Sequence, residues 1–373
     1  MRILSLNYEF PPLGGGGGYV TKAINERLVK EGHTVDLVTM HFRELKYEEI
    51  LNGVRIFRVR SFRKKMETCE TWEMASFVIS AIPFALKLTK EHKYDLIHCH
   101  FAVPTGIVAY VVKKLRNLNY IITAHGSDTP GYNPERFQLE HRFTRPLLKT
   151  IMKKAKAVVA PSEYLKDLIE RNIHPGVPIK TIPNGIDPDM FSIDKKRNNW
   201  ILMSGRLLER KGFQYVLKAL ENTSLPDWEI HLVGDGPYRK ELEILAKKVG
   251  NKVVFHGWLE KGSNELIDLY ERSKIFLMPS DVENAPISLL EAMNAGLAIV
   301  TTNTTGCYET AGDSALLVDP HDTNGIKNAV FQFAHDESLI DEFGKRARKR
   351  SIEKFSWDMI IEEYLKLYRK ICK

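Results

Sequence analysis

The sequence predicts an α/β protein built from two doubly wound parallel sheets, one in each half of the chain. Three observations predict it. Apolar strand-like runs alternate with helical patterns through both halves, which is the signature of a parallel sheet covered by helices on its two faces. A polar connector, Asp187 to Asn199, interrupts the alternation near the middle. The 373 residues suffice for two domains of about 150–200 residues, each with its own core.

In the first half the apolar runs are Ile3–Asn7, Val35–Met40, Val54–Val59, Leu96–Cys99, Tyr120–Ala124, Ala157–Ala160 and Ile179–Ile182. Val20, Ala23, Ile24 and Leu28 are spaced helically, and Gly32 follows as a stop. In the second half the runs are Ile201–Ser204, Ile230–Val233, Val253–Phe255, Ile275–Met278, Leu297–Val300 and Ala315–Val318. Phe213, Val216, Leu217 and Leu220 again recur at helical spacing, and Trp357 to Ile371 reads as an amphipathic terminal helix. The expected division is 1–190, 191–355 and a helix over 356–373 that can pack back on the N-terminal domain. No self-similarity at about 20–50 residues is present, which excludes a solenoid or propeller.

Composition narrows the class further. With 43% hydrophobic residues the chain is too apolar for disorder. Cys69, Cys99, Cys307 and Cys372 lie far apart, giving neither a disulfide framework nor a zinc site, and this suits a reducing compartment. The chain enters a strand-like run at Arg2, and its longest uncharged apolar-rich stretch, Met74 to Leu86, falls short of the about 20 residues of a spanning helix. A cytoplasmic protein is expected, with peripheral contact at a membrane compatible with its charge. Residues 1–200 hold 31 Lys and Arg against 21 Asp and Glu, a balance of +10, while residues 201–373 hold 23 against 26, a balance of −3. The basic half fits an acidic partner.

Ligands of parallel sheets sit at the carboxyl ends of strands, so the segments after each strand matter most. After the first comes Pro11-Pro12-Leu13 and five glycines, Gly14 to Gly18, opening a helix. Such a loop lets backbone N–H groups approach an anion, although a merely flexible turn has the same composition. After Tyr120–Thr123 comes Ala124-His125-Gly126-Ser127-Asp128, which puts an imidazole at a strand end. His98 and His100 alternate along their run, so one is expected to face the core and the other the ligand. After Trp200–Ser204 comes Gly205-Arg206, with Lys211-Gly212 at its end, two cations suited to phosphate oxygens. After Ile275–Met278 comes a run from Asp281 to Gly296 in which Asn284 can cap a helix, Pro286 can sit in its first turn and Gly296 can end it. Glu283 then precedes the helix and Glu291 lies about two turns inside, roughly 9 Å along its axis. Two carboxylates so placed can grip the two ends of an extended ligand, and sugar hydroxyls are natural donors to them.

Taken in order, Pro-Pro-x-Gly-Gly, His-Gly-Ser-Asp, Gly-Arg-(x)4-Lys-Gly and Glu-(x)7-Glu resemble the retaining glycosyltransferases of family 4, which have the GT-B fold. Gly32-His33, Pro183-Asn184-Gly185-Ile186-Asp187 and Val233-Gly234-Asp235-Gly236-Pro237 add to a resemblance that covers nearly the whole chain. It implies two Rossmann-like domains facing a central cleft, an acceptor-binding one first and a nucleotide-sugar-binding one second. It further implies that Arg206 and Lys211 hold the donor diphosphate, Glu291 the ribose and Glu283 the donor sugar near the reacting centre. His125 would reach that sugar from the N-terminal side, and Gly15 and Gly16 would approach the phosphates or the acceptor. The implied activity moves a sugar, expected to be a hexose, to a glycan, glycolipid or small-molecule acceptor. No metal and no cofactor are expected, since the one Asp-x-Asp, Asp187-Pro188-Asp189, lies in the connector. Five glycines where the family has two, Asn284-Ala285-Pro286 after Glu283, and Thr305-Gly306-Cys307-Tyr308-Glu309 depart from the family pattern.

Two surfaces could serve a lipid or phosphorylated acceptor. Arg142, Arg145, Lys149, Lys153 and Lys156 form a basic stripe if helical, beside Leu147, Leu148, Ile151 and Met152, although an ordinary helix packed on its sheet has the same pattern. The second runs from Arg58 to Lys65 and on to Trp72, Met74 and Phe77. A sugar-nucleotide epimerase of similar architecture is the nearest alternative. A Rossmann oxidoreductase lacks its glycine fingerprint here, and no nucleic-acid-binding motif accompanies the basic charge.

Overall fold

The computed structural model describes residues 1–132 and 145–372, and these form two α/β units. One comprises Met1–Pro183 together with the chain end from Ile360, and the other comprises Asn184–Met359. The units part just before the polar connector. The reason is that Ile186 exchanges backbone hydrogen bonds with Phe355 and Trp357, which ties residues 184–187 to the second unit.

The first unit runs β1 (Arg2–Leu6), α1 (Gly16–Lys30), β2 (Thr34–Met40), β3 (Glu48–Leu51), β4 (Val54–Val59), α2 (Thr71–Glu91), β5 (Leu96–His100), α3 (Thr105–Arg116) and β6 (Tyr120–Thr123). Helical residues 145–154 (α4), β7 (Ala157–Ala160), α5 (Glu163–Asn172) and β8 (Ile179–Thr181) follow. The sheet order is β3-β4-β2-β1-β5-β6-β7-β8. The pairs are parallel except β3 on β4, an antiparallel edge strand with no apolar run to betray it in the sequence. The five residues of β5 and the four of β6 and of β7 are all buried, as expected for strands covered on both faces.

The second unit runs β9 (Trp200–Ser204), α6 (Phe213–Ala219), β10 (Glu229–Val233), α7 (Arg239–Ala246), β11 (Lys252–Gly257), α8 (Asn264–Arg272) and β12 (Ile275–Met278). It continues through α9 (Ile287–Asn294), β13 (Ala298–Thr302), α10 (Thr305–Ala311), β14 (Ala315–Val318), α11 (Thr323–Ala334) and α12 (Glu337–Phe355). Its sheet order is β11-β10-β9-β12-β13-β14, parallel throughout. Leu202, Phe276, Ile299 and Leu289 lie in one core cluster on one side of it, and Ile201, Leu277, Val216 and Phe333 lie in another.

The last helix, α13 (Trp357–Cys372), carries its tyrosines into the first unit. Tyr368 is fully buried with its hydroxyl 2.7 Å from Nδ1 of His98, and the Tyr364 hydroxyl lies 3.4 Å from that of Thr123. Lys180 and Glu363 form an ion pair at 2.6 Å beside them. No helix among the described residues is long and apolar enough to cross a membrane.

The basic stripe is only partly within the described residues, because Arg142 lies outside them. Within α4 most of the apolar side is consumed by the unit itself: Leu148, Ile151 and Met152 are buried, while Leu147 is exposed and Arg145, Lys149 and Lys153 face solvent. The second surface also loses members. Arg58 is buried in an ion pair with Glu49, and Phe77 lies in the core.

Tyr368→Phe should strand Nδ1 of His98 without a partner, an expected loss of about 1–3 kcal/mol. A urea titration should show a lower midpoint at unchanged slope.

Candidate active site

In the second unit the loops after β9, β10, β12 and β13 meet backbone to backbone. A Cβ at Gly234 would overlap the carbonyl of Gly205, and one at Gly212 would overlap that of Pro279. One at Gly306 would overlap the carbonyl of Asn284. Gly212 also holds φ at +74°, a conformation costly for any other residue. The Gly306 N–H donates to the Glu283 carbonyl at 2.9 Å, and the Thr305 hydroxyl accepts from the Glu283 N–H at 3.2 Å. The Thr305-Gly306 departure noted in the sequence is thus the floor on which Glu283 rests.

These contacts fix the charged groups. The Lys211 ammonium lies 2.5 Å from Oε1 of Glu283, with both side chains nearly buried. Arg210 stands 3.7 Å from the same oxygen and donates to the Val282 carbonyl at 2.8 Å. Arg206 is half-buried at the start of the same loop. The helix after Glu283 begins at Ile287, two residues later than the sequence suggests, with Pro286 flanking it rather than inside its first turn. Glu291 is therefore one turn in rather than two. Gly296 follows with φ at +72° and ends the helix as expected. Glu291 is buried, accepts a hydrogen bond from the Tyr270 hydroxyl at 3.2 Å and forms an ion pair with Lys261 at 3.0 Å. Burial and this carboxylate hold the Tyr270 phenol well above its ordinary pKa.

The first unit gathers a second set. Gly16 opens α1 and Gly15 flanks it, its N–H reaching Glu9 at 3.4 Å. Gly17 packs so closely that a Cβ there would come within 2.6 Å of the Phe101 ring and 3.3 Å of the His125 ring. The glycine run and His125, 108 residues apart in the chain, are therefore neighbours. The His125 N–H donates to Asp128 at 3.2 Å, and its Nε2 lies 3.2 Å from Nδ1 of His100. His98 and His100 do not divide between two faces. Residues two apart in a strand share a face, and their rings lie 4.2 Å apart, both fully buried.

Burial pushes His98 down to about 3, with His125 a lesser cause, and pushes His125 itself down to about 3. Burial also holds His100 well below its ordinary value. His125 is thus an uncharged imidazole with one ring nitrogen committed to His100, chemistry suited to a hydroxyl rather than to a phosphate. All seven residues singled out from the sequence lie in one or other of these two sets: Gly15, Gly16 and His125 in the first unit, and Arg206, Lys211, Glu283 and Glu291 in the second. The motifs gave no warning of Lys261 or Tyr270, which reach Glu291 from outside any pattern. Arg210 and Asp128 lay inside the recognised motifs, where only the fold reveals what they touch.

The models of two families match consecutive parts of the chain: "Glycosyltransferase Family 4" over residues 14–190 and "Glycosyl transferases group 1" over residues 186–350. A glycosyltransferase of Methanocaldococcus jannaschii is 28% identical, with 99% of this chain and 98% of that protein aligned. N-acetyl-alpha-D-glucosaminyl L-malate synthase of Bacillus anthracis is 23% identical over 97% of this chain and 96% of its own. Among solved structures, sucrose-phosphate synthase from Thermosynechococcus elongatus superposes with a TM-score of 0.82 at 22% identity, covering 99% of this chain and 98% of that one. The Anabaena protein HepE in complex with UDP-glucose gives 0.78 at 18% identity, covering 99% and 100%.

Two outcomes follow from this geometry. Lys211→Met leaves Glu283 with a reduced counter-charge and should cost about 3 kcal/mol in denaturant unfolding. Adding Glu283→Gln to it should restore part of the loss. The histidines set a pH dependence with a definite sign. Their folded pKa values lie below the ordinary 6.5, so below 6.5 the unfolded chain binds protons that the folded one refuses. Stability should therefore be full above 6.5 and fall as pH drops towards about 3. Imidazole proton resonances should show His98 and His125 still neutral where ordinary histidines have titrated.

Proposed function

The chain belongs to the family 4 glycosyltransferases of GT-B fold, enzymes that transfer sugar, and we propose that it moves a hexose from a nucleotide-diphosphate sugar to a glycan, glycolipid or small-molecule hydroxyl with retention at the anomeric carbon. The observation that carries this reading is the pair of buried carboxylates, Glu283 and Glu291, each held by a lysine from a different loop. In the proposed reaction Glu291 accepts the ribose hydroxyls, and Glu283 accepts hydroxyls of the donor sugar. Arg206 and Lys211 lie along the diphosphate. The bond from C1 to the phosphate oxygen breaks, the acceptor oxygen bonds to C1 from the same face, and the acceptor's proton passes to the departing phosphate.

Negative charge on that phosphate grows as the bond breaks, so cations already in place stabilise the transition state more than the ground state. This division of labour supports a metal-independent reading, in which Arg206 and Lys211 neutralise the leaving group. Glu283, paired with Lys211 and near Arg210, positions the sugar and is not assigned as a nucleophile. His125, neutral, with its ring held by His100 and its backbone N–H by Asp128, serves a sugar hydroxyl, and the N–H groups at Gly15 and Gly16 serve the phosphates or the acceptor. Two relatives, each 25% identical, support this range of acceptors: the Escherichia coli protein named UDP-Gal:alpha-D-GlcNAc-diphosphoundecaprenol alpha-1,3-galactosyltransferase and D-inositol 3-phosphate glycosyltransferase of Corynebacterium jeikeium.

Thermal unfolding with UDP, GDP and ADP, each with and without EDTA, tests the donor reading. A nucleotide at 100 times its dissociation constant adds about 2.7 kcal/mol, a rise of several degrees. One nucleotide should stabilise the protein with EDTA present, and Glu291→Ala should abolish the shift. With the matching nucleotide sugar, Lys211→Ala and Arg206→Ala should each lower kcat/KM by about 10²–10³. The anomeric configuration of the product, read by NMR, decides retention, and stabilisation by none of the nucleotides or their sugars would overturn the assignment of donor residues.

A further inference from the structure

Helix α2 is apolar on two faces, and only one of them is used by the fold. Phe77, Ala81, Ala85 and Leu88 are buried against the first unit, as helical spacing requires. On the opposite side Trp72, Ala75, Ile79, Ile82, Pro83 and Leu86 also recur at three- and four-residue steps. Ile79 is 74% exposed and Trp72 45%, Ala75 and Pro83 are exposed, and Ile82 and Leu86 are half-buried. At 1.5 Å per residue the stripe from Trp72 to Leu86 runs along about 21 Å of the 21-residue helix.

The segment before the helix extends the stripe and charges its rim. Phe62, 68% exposed, lies 5.9 Å from the Trp72 ring, and Lys64 sits over that ring at 5.3 Å. Arg60, Lys64 and Lys65 face solvent, whereas Arg63 turns inward to hold the carbonyls of Lys65, Met66 and Tyr8. Of the two carboxylates in the segment, Glu67 and Glu70, the latter accepts the Trp72 indole N–H. The segment is fastened to α2 by the Phe62 N–H on Ser76 and the Lys64 N–H on Glu73, so the aromatic and basic groups are presented on a fixed backbone. Its far end touches the glycine run: the Gly14 N–H donates to the Met66 carbonyl at 2.8 Å.

We propose that this face, Phe62 and Lys64–Lys65 with the Trp72–Ile79–Leu86 stripe of α2, docks on an anionic lipid bilayer. An apolar stripe with a tryptophan and lysines at its edge is what an in-plane membrane helix presents, its apolar side in the headgroup boundary and its cations on lipid phosphates. A second copy of the chain is the poorer occupant. A twofold interface lays the same patch on itself, which would set Arg60, Lys64 and Lys65 against their own like charges. The Gly14–Met66 hydrogen bond ties the segment to the glycine run, so docking sets the membrane plane beside residues expected to meet an acceptor. The α4 stripe has no such face among the described residues, because Leu148, Ile151 and Met152 are buried and Leu147 alone of its apolar residues is exposed.

The test uses the full chain and reads lipid binding alone, independently of sugar transfer. Wild-type protein is sedimented with vesicles of phosphatidylcholine and of phosphatidylcholine mixed with phosphatidylglycerol. It should pellet with the mixed vesicles and be released by salt. Ile79→Asp, and separately the pair Lys64→Glu with Lys65→Glu, should each lower vesicle affinity by roughly tenfold or more. Lys149→Glu with Lys153→Glu on α4 should not. All three change exposed groups, and unaltered melting temperatures confirm that the variants fold. Wild type that stays in the supernatant, or an Ile79→Asp protein that pellets like wild type, would overturn the proposal. So would loss of vesicle binding only in the α4 variant, or a wild-type dimer in sedimentation velocity that Ile79→Asp dissolves.

Discussion

Four loops of the second unit touch one another through bare backbone, and the placement of its charged groups depends on that contact. Gly212, Gly234 and Gly306 each stand where a methyl group would overlap a neighbouring carbonyl. The contact removes the freedom that loops ordinarily keep. Lysine and arginine side chains on such a base lose less entropy when they bind, since the chain beneath them is already ordered.

The two clusters of site residues solve the problem of buried polar groups in opposite ways. In the second unit, Glu283 and Glu291 are buried as charges, each matched by a cation. Such pairs are poor sources of stability, since desolvation consumes most of the attraction. Their use is positional, because a ligand can exchange places with one partner of a pair while the other stays put. At the candidate site of the first unit the buried rings are neutral instead: His98, His100 and His125 are held uncharged and linked through hydroxyls and one another. One unit is suited to a polyanion, the other to uncharged hydroxyl groups.

Much of this was legible beforehand because it rests on local pattern. Each apolar run predicted in the first half became a strand, and so did each one in the second. β3 escaped because Glu48-Glu49-Ile50-Leu51 is an exposed edge, where pairing to β4 rather than burial makes the strand. The spacing from Glu283 to Glu291 was readable, but the partners Lys261 and Tyr270 were not, since tertiary approach brings them from β11–α8 and α8. The misplacement of His98 and His100 came from applying the wrong period: two residues make a full repeat in a strand. The outer face of α2 was partly visible as Trp72 beside basic residues. Separating Ile79 from Phe77, one outward and one inward, needed the helix to be set on its sheet.

The course of α13 bears on how the chain is made. Synthesis runs from the amino terminus, and residues 184–359 form a continuous unit that can close on itself as soon as it emerges. The first unit, although translated earlier, is missing Tyr364 and Tyr368 until residues beyond Met359 leave the ribosome. Until then the side of its sheet that holds His98 lacks its cover. The half of the protein born first is thus the half completed last. A premature stop between Met359 and Tyr364 strikes the N-terminal core while leaving every residue of the adjoining domain in place.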